Sequence, residues 1–121
     1  MVTADHPVQR RIQKQIRFGD TFAIAVPVLT EVLYGILTLP RAKENLQDWQ
    51  KYSIMFDYYE IERDDAEDAA YLQAELRTRG RQLQTVDALL ATIALRYDLT
   101  LLTKDNDFND IDNLLLDNWF P

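Results

Sequence analysis

The sequence of 121 residues contains no cysteine and only one histidine, and both scarcities restrict its chemistry. Without cysteine, a disulfide framework and a thiolate metal site are both excluded. Only three glycines and four prolines are present, which argues against a low-complexity or repeat protein. A hydrophobic fraction of 47% is sufficient for one core, and the chain is too short for two domains of ordinary size. We therefore expect residues 1–121 to form a single domain.

Long apolar runs are scarce as well. Charged residues interrupt each apolar stretch well short of the length that spans a membrane, and the N-terminus lacks the apolar region of a signal peptide. These features predict a soluble, cytoplasmic protein that has no membrane partner. The formal net charge of −7 disfavours a surface that binds nucleic acid over its whole area, although it allows a local basic rim around an acidic site.

Helical and extended patterns alternate along the chain. Short apolar stretches bounded by turn residues predict strands at 21–26, 57–61 and 99–103, with a possible short edge strand in 112–121. Apolar residues at helical spacing predict helices at 7–18, 29–39, 41–56, 64–79 and 85–97. Strands that alternate with helices predict an α/β fold with a mostly parallel sheet.

Four acidic residues follow predicted strands or begin predicted helices. Asp87 opens the helix that Thr85 is expected to cap. This helix travels roughly 15–18 Å before its turn. The next strand returns a similar distance at about 3.3 Å per residue, which brings Asp105 and Asp107 back to the level of Asp87. Glu31 opens a helix directly after the first predicted strand, so we expect all four acids at the carboxyl edge of the sheet, where open α/β folds bind ligands.

Carboxylates held together repel each other unless a cation, a shared proton or ample water separates them. Oxygen ligands in a chain with no cysteine and one histidine favour magnesium or manganese over zinc. Each acid taken alone also has a structural interpretation, because helix first turns and polar turns commonly contain Asp and Glu. The convergence of several acids on one edge favours the metal site.

Two segments, VPVLTEVLYG at 26–35 and RTRGRQLQTVDALLATIALRYDLTLLTKDNDFNDI at 77–111, resemble PIN-domain proteins, specifically the toxins of VapBC-type toxin–antitoxin pairs. The family pattern has a Glu that opens a helix after the second strand, matched by Glu31. It then has a Gly-Arg and an Asp-Ala-Leu-Ile-Ala-Ala-like helix, matched by GRQLQTVDALLATIAL with Asp87. A Thr-x-Asn/Asp turn that ends in an acid and Phe is matched by TKDNDF, with Asp105 at the fourth acid position and Asp107 at the auxiliary one.

The resemblance implies a three-layer α/β/α fold and a ribonuclease that depends on Mg²⁺ or Mn²⁺. The residues implied as metal ligands are Glu31, Asp87, Asp105 and Asp107, of which the first three are also the implied catalytic acids. Arg77, Arg79 and Arg81 could form a basic rim for RNA, or they could be a solvated helix end that favours positive charge. Thr103 could bind a phosphate or a water on the metal, although a hydroxyl that satisfies the turn is the better interpretation.

The resemblance also implies partners. Members of the family usually form homodimers and bury hydrophobic helical surface against a VapB-type antitoxin. The segment TEVLYGILTLP at 30–40 is apolar on more than one face, so we expect it to contact the antitoxin, with a larger internal core as the alternative.

One departure from the family pattern concerns the start of the chain. The family begins with a strand that ends in Asp-Thr-Asn or similar, and this Asp is the first catalytic acid. Nothing before Ala4 resembles that strand. We therefore expect Met1 to lie downstream of the usual start, through a truncated gene, a start codon assigned too late, or decay of a toxin.

Two other functions remain open from the sequence. An inactive PIN remnant could still bind an antitoxin, which the departure at the N-terminus favours. A receiver-like phospho-acceptor domain is also about this size and acidic at one edge, and Lys104 follows a strand as such a domain requires. No acid pair follows an early predicted strand, which argues against the receiver.

Overall fold

The computed structural model describes residue 11 and residues 14–119. The chain divides into two compact units, Met1–Glu60 and Ile61–Pro121. Most of the helix predicted at 7–18 lies outside the described residues, but residues 14–17 are helical as expected. No helix within the described ranges has the length and apolar character needed to cross a membrane.

The first unit contains two strands and two helices. In chain order they are β1 (Phe22–Ala25), α1 (Val26–Thr38), α2 (Ala42–Ser53) and β2 (Phe56–Tyr59). The strands are parallel, with Phe22 opposite Phe56. The ring centroids of Phe22 and Phe56 lie 6.1 Å apart. The ring of Trp49 in α2 packs edge-on against that of Phe56, with 5.7 Å between the ring centroids. These aromatic contacts attach α2 to the sheet, so Phe22, Trp49 and Phe56 serve packing in this unit.

Helix α1 begins three residues earlier than the sequence predicted. We expected Pro27 to end the strand and the helix to start at residue 29, but α1 already begins at Val26. Proline is well suited to the first helical turn, because its missing N–H would have no intrahelical partner there. As a consequence Glu31 lies in the second turn of α1, and the prediction that it opens the helix is wrong.

The second unit contains two long helices and a second pair of strands. In chain order they are α3 (Arg63–Thr78), α4 (Thr85–Arg96), β3 (Thr100–Leu102), a 3₁₀ turn (Asn106–Phe108) and β4 (Leu115–Asp117). Strands β3 and β4 are parallel, with Thr100 opposite Leu115, which confirms the predicted C-terminal strand. All strand pairs in the described parts of the chain are parallel, which confirms the α/β class, and they form two separate two-stranded sheets.

The core of the second unit lies where α3 packs on α4. Ala88 and Ala91 of α4 are fully buried, and side chains this small let the two helices approach closely. Leu83 joins the same cluster from the loop before α4, and Phe108 and Ile111 join it from the segment after β3. The loop on one side of α4 and the segment after β3 are therefore held against a shared core.

Both ends of α3 are well defined. At its start, the Asp65 side chain accepts a hydrogen bond of 2.9 Å from the backbone N–H of Glu62, as one half of a capping box. At its end, Gly80 has φ of +74°, and the N–H of Arg81 donates to the carbonyl of Leu76 at 2.9 Å. A left-handed glycine in this position is the usual end of a helix, so the predicted stop at Gly80 is confirmed.

A buried ion pair connects α3 to α4. Asp65 is completely buried, and its carboxylate accepts from the guanidinium of Arg96 in the last turn of α4. The same guanidinium also binds Asp68, one turn further along α3. Breaking a buried pair of this kind leaves an uncompensated charge, so Arg96 should stabilise the packing of α4 against α3.

Candidate metal centre

Three carboxylates come together in the second unit. Asp87, Asp105 and Asp107 each offer one carboxylate oxygen, and these oxygens all lie within 4.8 Å of one another. This acidic cluster joins residues that are 18 and 20 positions apart along the chain (105 − 87 and 107 − 87). The prediction that these three acids converge is confirmed.

Helix α4 places Asp87 at its N-terminal end. Asp87 is the third helical residue and lies in the first turn, where the helix dipole favours negative charge. Its neighbour Ala88 is fully buried, which fixes the rotation of the helix and leaves Asp87 half-buried at the rim. Gln84 is the N-cap and Thr85 is the first helical residue, so the prediction that Thr85 caps the helix is wrong. The chain enters the helix one residue earlier than the side-chain type suggested.

A network of side-chain to backbone hydrogen bonds places the other two acids. After β3, the hydroxyl oxygen of Thr103 accepts from the N–H of Asp105 at 3.0 Å. Asp105 in turn caps the 3₁₀ turn, because its Oδ1 accepts from the N–H of Asp107 at 2.9 Å. Phe108, directly after Asp107, is buried in the core and anchors the turn. The contact of Thr103 supports the turn-satisfying role that the sequence favoured over phosphate binding.

The donor set of the acidic cluster consists of oxygen atoms alone. Carboxylate oxygens suit hard divalent cations such as Mg²⁺ and Mn²⁺, whereas zinc sites usually contain histidine or cysteine. Asp105 and Asp107 are exposed to solvent and Asp87 is half-buried, so the cluster is open enough for an ion to enter with some of its water. The residues present therefore fit a magnesium-type ion.

The fourth predicted acid lies in the other unit. Glu31 is exposed on α1 and belongs to the first unit, whereas the acidic cluster belongs to the second. Its membership of the metal site stays a prediction.

The three arginines upstream of Asp87 differ in their surroundings. The guanidinium of Arg79 pairs with Glu75 at 3.5 Å, and that of Arg81 pairs with Asp110 at 3.0 Å. Arg77 and Arg81 line an open groove beside the end of α3, which Arg79 does not line. The three arginines therefore do not share one environment, and only Arg77 and Arg81 line the groove.

Sequence reasoning missed Gln73, whose side chain bridges α3 and the start of α4. Its Nε2 donates to the carbonyl of Leu83 at 2.8 Å and to the hydroxyl of Thr85 at 3.3 Å. Gln73 lies four residues before Arg77, so both share one face of α3. That spacing was the available signal, but only the fold shows that this face meets the start of α4.

The sequence model of the PIN domain family matches residues 2–114. The chain belongs to the PIN domain family. The predicted family is thereby confirmed, and the observed helices and parallel strands agree with its α/β architecture. Divalent-metal dependence is general among PIN domains, and the acidic cluster is the corresponding feature of this chain. None of the curated protein sequences matches the chain.

Several solved structures share this PIN fold. A chain of VapBC2 from Rickettsia felis, bound to a DNA fragment from its promoter, matches with a TM-score of 0.77 at 23% identity, covering 94% of this chain and 86% of that one. A chain of DNA-bound VapBC from Salmonella typhimurium matches with a TM-score of 0.76 at 19% identity, covering 89% and 83%. A toxin–antitoxin complex from Klebsiella pneumoniae matches with a TM-score of 0.59 at 25% identity, covering 87% and 82%.

Proposed function

We propose that this PIN protein is the ribonuclease toxin of a VapBC-type toxin–antitoxin pair. The acidic cluster carries the proposal, because three carboxylates from two separate segments lie within 4.8 Å and provide the oxygen ligands that a phosphodiester-cleaving metal site needs. Membership of the PIN family and the likeness to toxin–antitoxin complexes support the assignment to the toxin. The single domain and the cytoplasmic location stay predictions.

In this proposal, Asp87, Asp105 and Asp107 hold Mg²⁺ or Mn²⁺, and Glu31 is a further predicted ligand. Asp87, Asp105 and Glu31 are the catalytic acids, and Asp107 supports them. Such an ion, when bound, neutralises charge at the scissile phosphate and lowers the pKa of the attacking water. The chain contributes orientation, because the backbone N–H groups of Asp105 and Asp107 are both fixed by side-chain oxygens within the turn. An oriented set of carboxylates binds an ion without first ordering a loop.

The antitoxin contact is proposed for helix α1 and its C-terminal end. Tyr34 and Leu37 are 69% and 61% exposed, and Leu39 just beyond the helix is 44% exposed. Ile36 between them is fully buried, so the helix has one face in the core and apolar side chains left on another. An amphipathic antitoxin segment of the VapB type would cover these side chains. A homodimer stays a prediction.

We expect the purified protein to cleave RNA only when Mg²⁺ or Mn²⁺ is present. The acidic cluster repels phosphate by itself, so removal of the ion with EDTA should stop cleavage, and an excess of Mg²⁺ should restore it. Release of labelled fragments from a mixed pool of cellular RNA measures the activity, and addition of the antitoxin should suppress it.

Two results would decide between nuclease and inactive remnant. Cleavage that persists in EDTA would contradict the metal mechanism. An intact RNA pool at every metal concentration, together with tight antitoxin binding, would support the inactive binding protein instead. A third experiment incubates the protein with acetyl phosphate. Transfer of a phosphoryl group to the chain would indicate a receiver-like protein, and we expect no such transfer.

The hydrogen bond from Asp105 to Thr103 should contribute to metal affinity. Thr103→Val removes the hydroxyl that accepts from the N–H of Asp105, so Asp105 is oriented less well. We expect metal affinity to fall about fivefold, since one such hydrogen bond contributes about 1 kcal/mol. Thr103→Ser keeps the hydroxyl and is the matched control. Calorimetric titration with Mn²⁺ measures both variants, and equal affinity of Thr103→Val and wild type would show that the bond does not orient the ligand.

A further inference from the structure

The second unit contains a groove separate from the acidic cluster. The C-terminal half of α3 forms one wall, residues 80–83 form the other, and the volume of this open groove is about 1000 Å³. We propose that this groove, called the arginine groove below, binds a phosphate of the RNA strand next to the bond that is cleaved, with Arg77 as the main contact. The proposal rests on the ribonuclease function proposed above.

Arg77 is the cation best placed to bind an external phosphate. Of the two arginines that line the groove, Arg81 already pairs with Asp110 at 3.0 Å. Within residues 14–119, no carboxylate forms an ion pair with Arg77. Among the described residues, a phosphate bound to Arg77 therefore displaces no carboxylate, whereas one bound to Arg81 must compete with Asp110. An arginine also offers several N–H donors in a planar fork that matches phosphate oxygens.

The hydrogen bonds of Gln73 relate the arginine groove to the acidic cluster. Gln73 and Arg77 both line the groove and lie four residues apart, a rise of about 6 Å along α3. The amide of Gln73 donates to the hydroxyl of Thr85 at 3.3 Å. Thr85 and Asp87 belong to the same first turn of α4. The order along the surface is therefore Arg77, Gln73 and then the turn that carries Asp87.

The other wall of the groove is tied to the second acidic segment. The ion pair between Arg81 and Asp110 joins the loop at 80–83 to the chain just after the 3₁₀ turn. Leu83 and Phe108 lie in one hydrophobic cluster, so the loop and the turn rest on the same core. The groove and the acidic cluster thus belong to one packed unit, which holds them at a fixed separation.

The chemistry of the lining favours a nucleic acid strand over an acidic peptide. Besides the two arginines, the walls contain the amide of Gln82, which can donate to phosphate and sugar oxygens, whereas the donors of Gln73 and Thr78 are already used within the chain. An RNA strand that reaches the acidic cluster brings a row of phosphates past three carboxylates. Arg77 offsets that repulsion at a phosphate that the metal ion of the acidic cluster does not contact. The metal site close to the groove would serve no purpose for a bound acidic peptide.

The test is the binding of single-stranded RNA to the purified protein in EDTA, where no cleavage is expected. We expect Arg77→Gln to weaken binding about fivefold. The slope of the logarithm of the binding constant against the logarithm of the salt concentration should become shallower by about 0.7, the value for one phosphate contact on a single strand. Arg79→Gln is the matched control, because it removes the same charge two residues away, outside the groove. Arg77→Lys should retain most of the affinity, since a lysine can also bind phosphate.

Each outcome bears on the arginine groove. Wild-type affinity in Arg77→Gln overturns the proposal, and so does an equal loss in Arg79→Gln, which would reflect net charge alone. Loss of binding to an acidic peptide with unchanged RNA affinity would also overturn it and assign the groove to a protein partner. A second readout is substrate length: the effect of Arg77→Gln should disappear when the RNA is shortened to a dinucleotide that spans only the cleaved bond.

The arginine groove and the nuclease function fail in different assays. RNA binding in EDTA reports on the groove without any cleavage, whereas fragment release in Mg²⁺ reports on the acidic cluster. A wild type that cleaves RNA, with Arg77→Gln unchanged in both assays, would overturn the groove alone. A wild type that never cleaves, with a loss of RNA affinity specific to Arg77→Gln, would overturn the nuclease function and leave only the phosphate contact of Arg77.

Discussion

Asp105→Asn is expected to reduce RNA cleavage at least about a hundredfold and to leave the fold intact. The asparagine keeps a side-chain oxygen that can accept from the N–H of Asp107, so the 3₁₀ turn retains its cap. What it loses is one of the three negative charges that lie within 4.8 Å of each other. Residues that only orient metal ligands already cost about 10–100-fold when they are changed, so a ligand itself should cost more.

The measurement is kcat/KM for fragment release in Mg²⁺, with Mn²⁺ affinity determined on the same samples. Asp112→Asn is the matched control, because it removes the same charge from an exposed turn a few residues later and leaves the acidic cluster unchanged. If Asp105→Asn stays within about threefold of Asp112→Asn in both measurements, Asp105 is not a ligand, and the catalytic proposal fails. Asp87→Asn tests the same point from α4 by an independent segment.

The convergence of three acids could be predicted because it follows from element lengths alone. A helix from Thr85 and a short returning strand fix where Asp105 and Asp107 arrive relative to Asp87, whatever the details of packing. The start of the helix is less predictable. Thr85 and Pro27 are both residues that favour helix beginnings, yet the N-cap of α4 is Gln84 rather than Thr85, and α1 begins three residues earlier than predicted. Local chemistry identifies such boundaries only to within a turn.

Pairwise contacts between distant residues could not be predicted in the same way. Three arginines within five positions look equivalent in sequence, yet Arg79 and Arg81 each pair with a carboxylate and Arg77 with none in the described ranges. Which arginine stays available depends on where α3 ends and on how residues 80–83 fold back. Similarly, Asp65 and Arg96 are 31 positions apart, and nothing in either local pattern indicates that they meet. These contacts are properties of packing between α3 and α4.

Arg96→Met is expected to cause the largest loss of stability, about 3 kcal/mol, or roughly 10 °C in Tm. Methionine keeps much of the aliphatic packing of arginine but leaves Asp65 as a buried carboxylate without its cation. The side chain of Asp65 is 1% exposed, so water cannot replace the guanidinium without opening the helix pair. Thermal and urea unfolding measure the change.

The double variant separates the unpaired charge from the lost packing. Asp65→Asn in the Arg96→Met background removes the buried charge and keeps an oxygen for the N–H of Glu62, so it should recover about half of the lost stability. Arg63→Met breaks an ion pair on the same helix whose arginine is 90% exposed, and it should change stability by less than about 0.5 kcal/mol. If the double variant is no more stable than Arg96→Met, the loss comes from packing rather than from charge. Asp87 lies at the opposite end of α4 from Arg96. RNA cleavage well below the melting temperature should therefore be the same in Arg96→Met, the double variant and Arg63→Met.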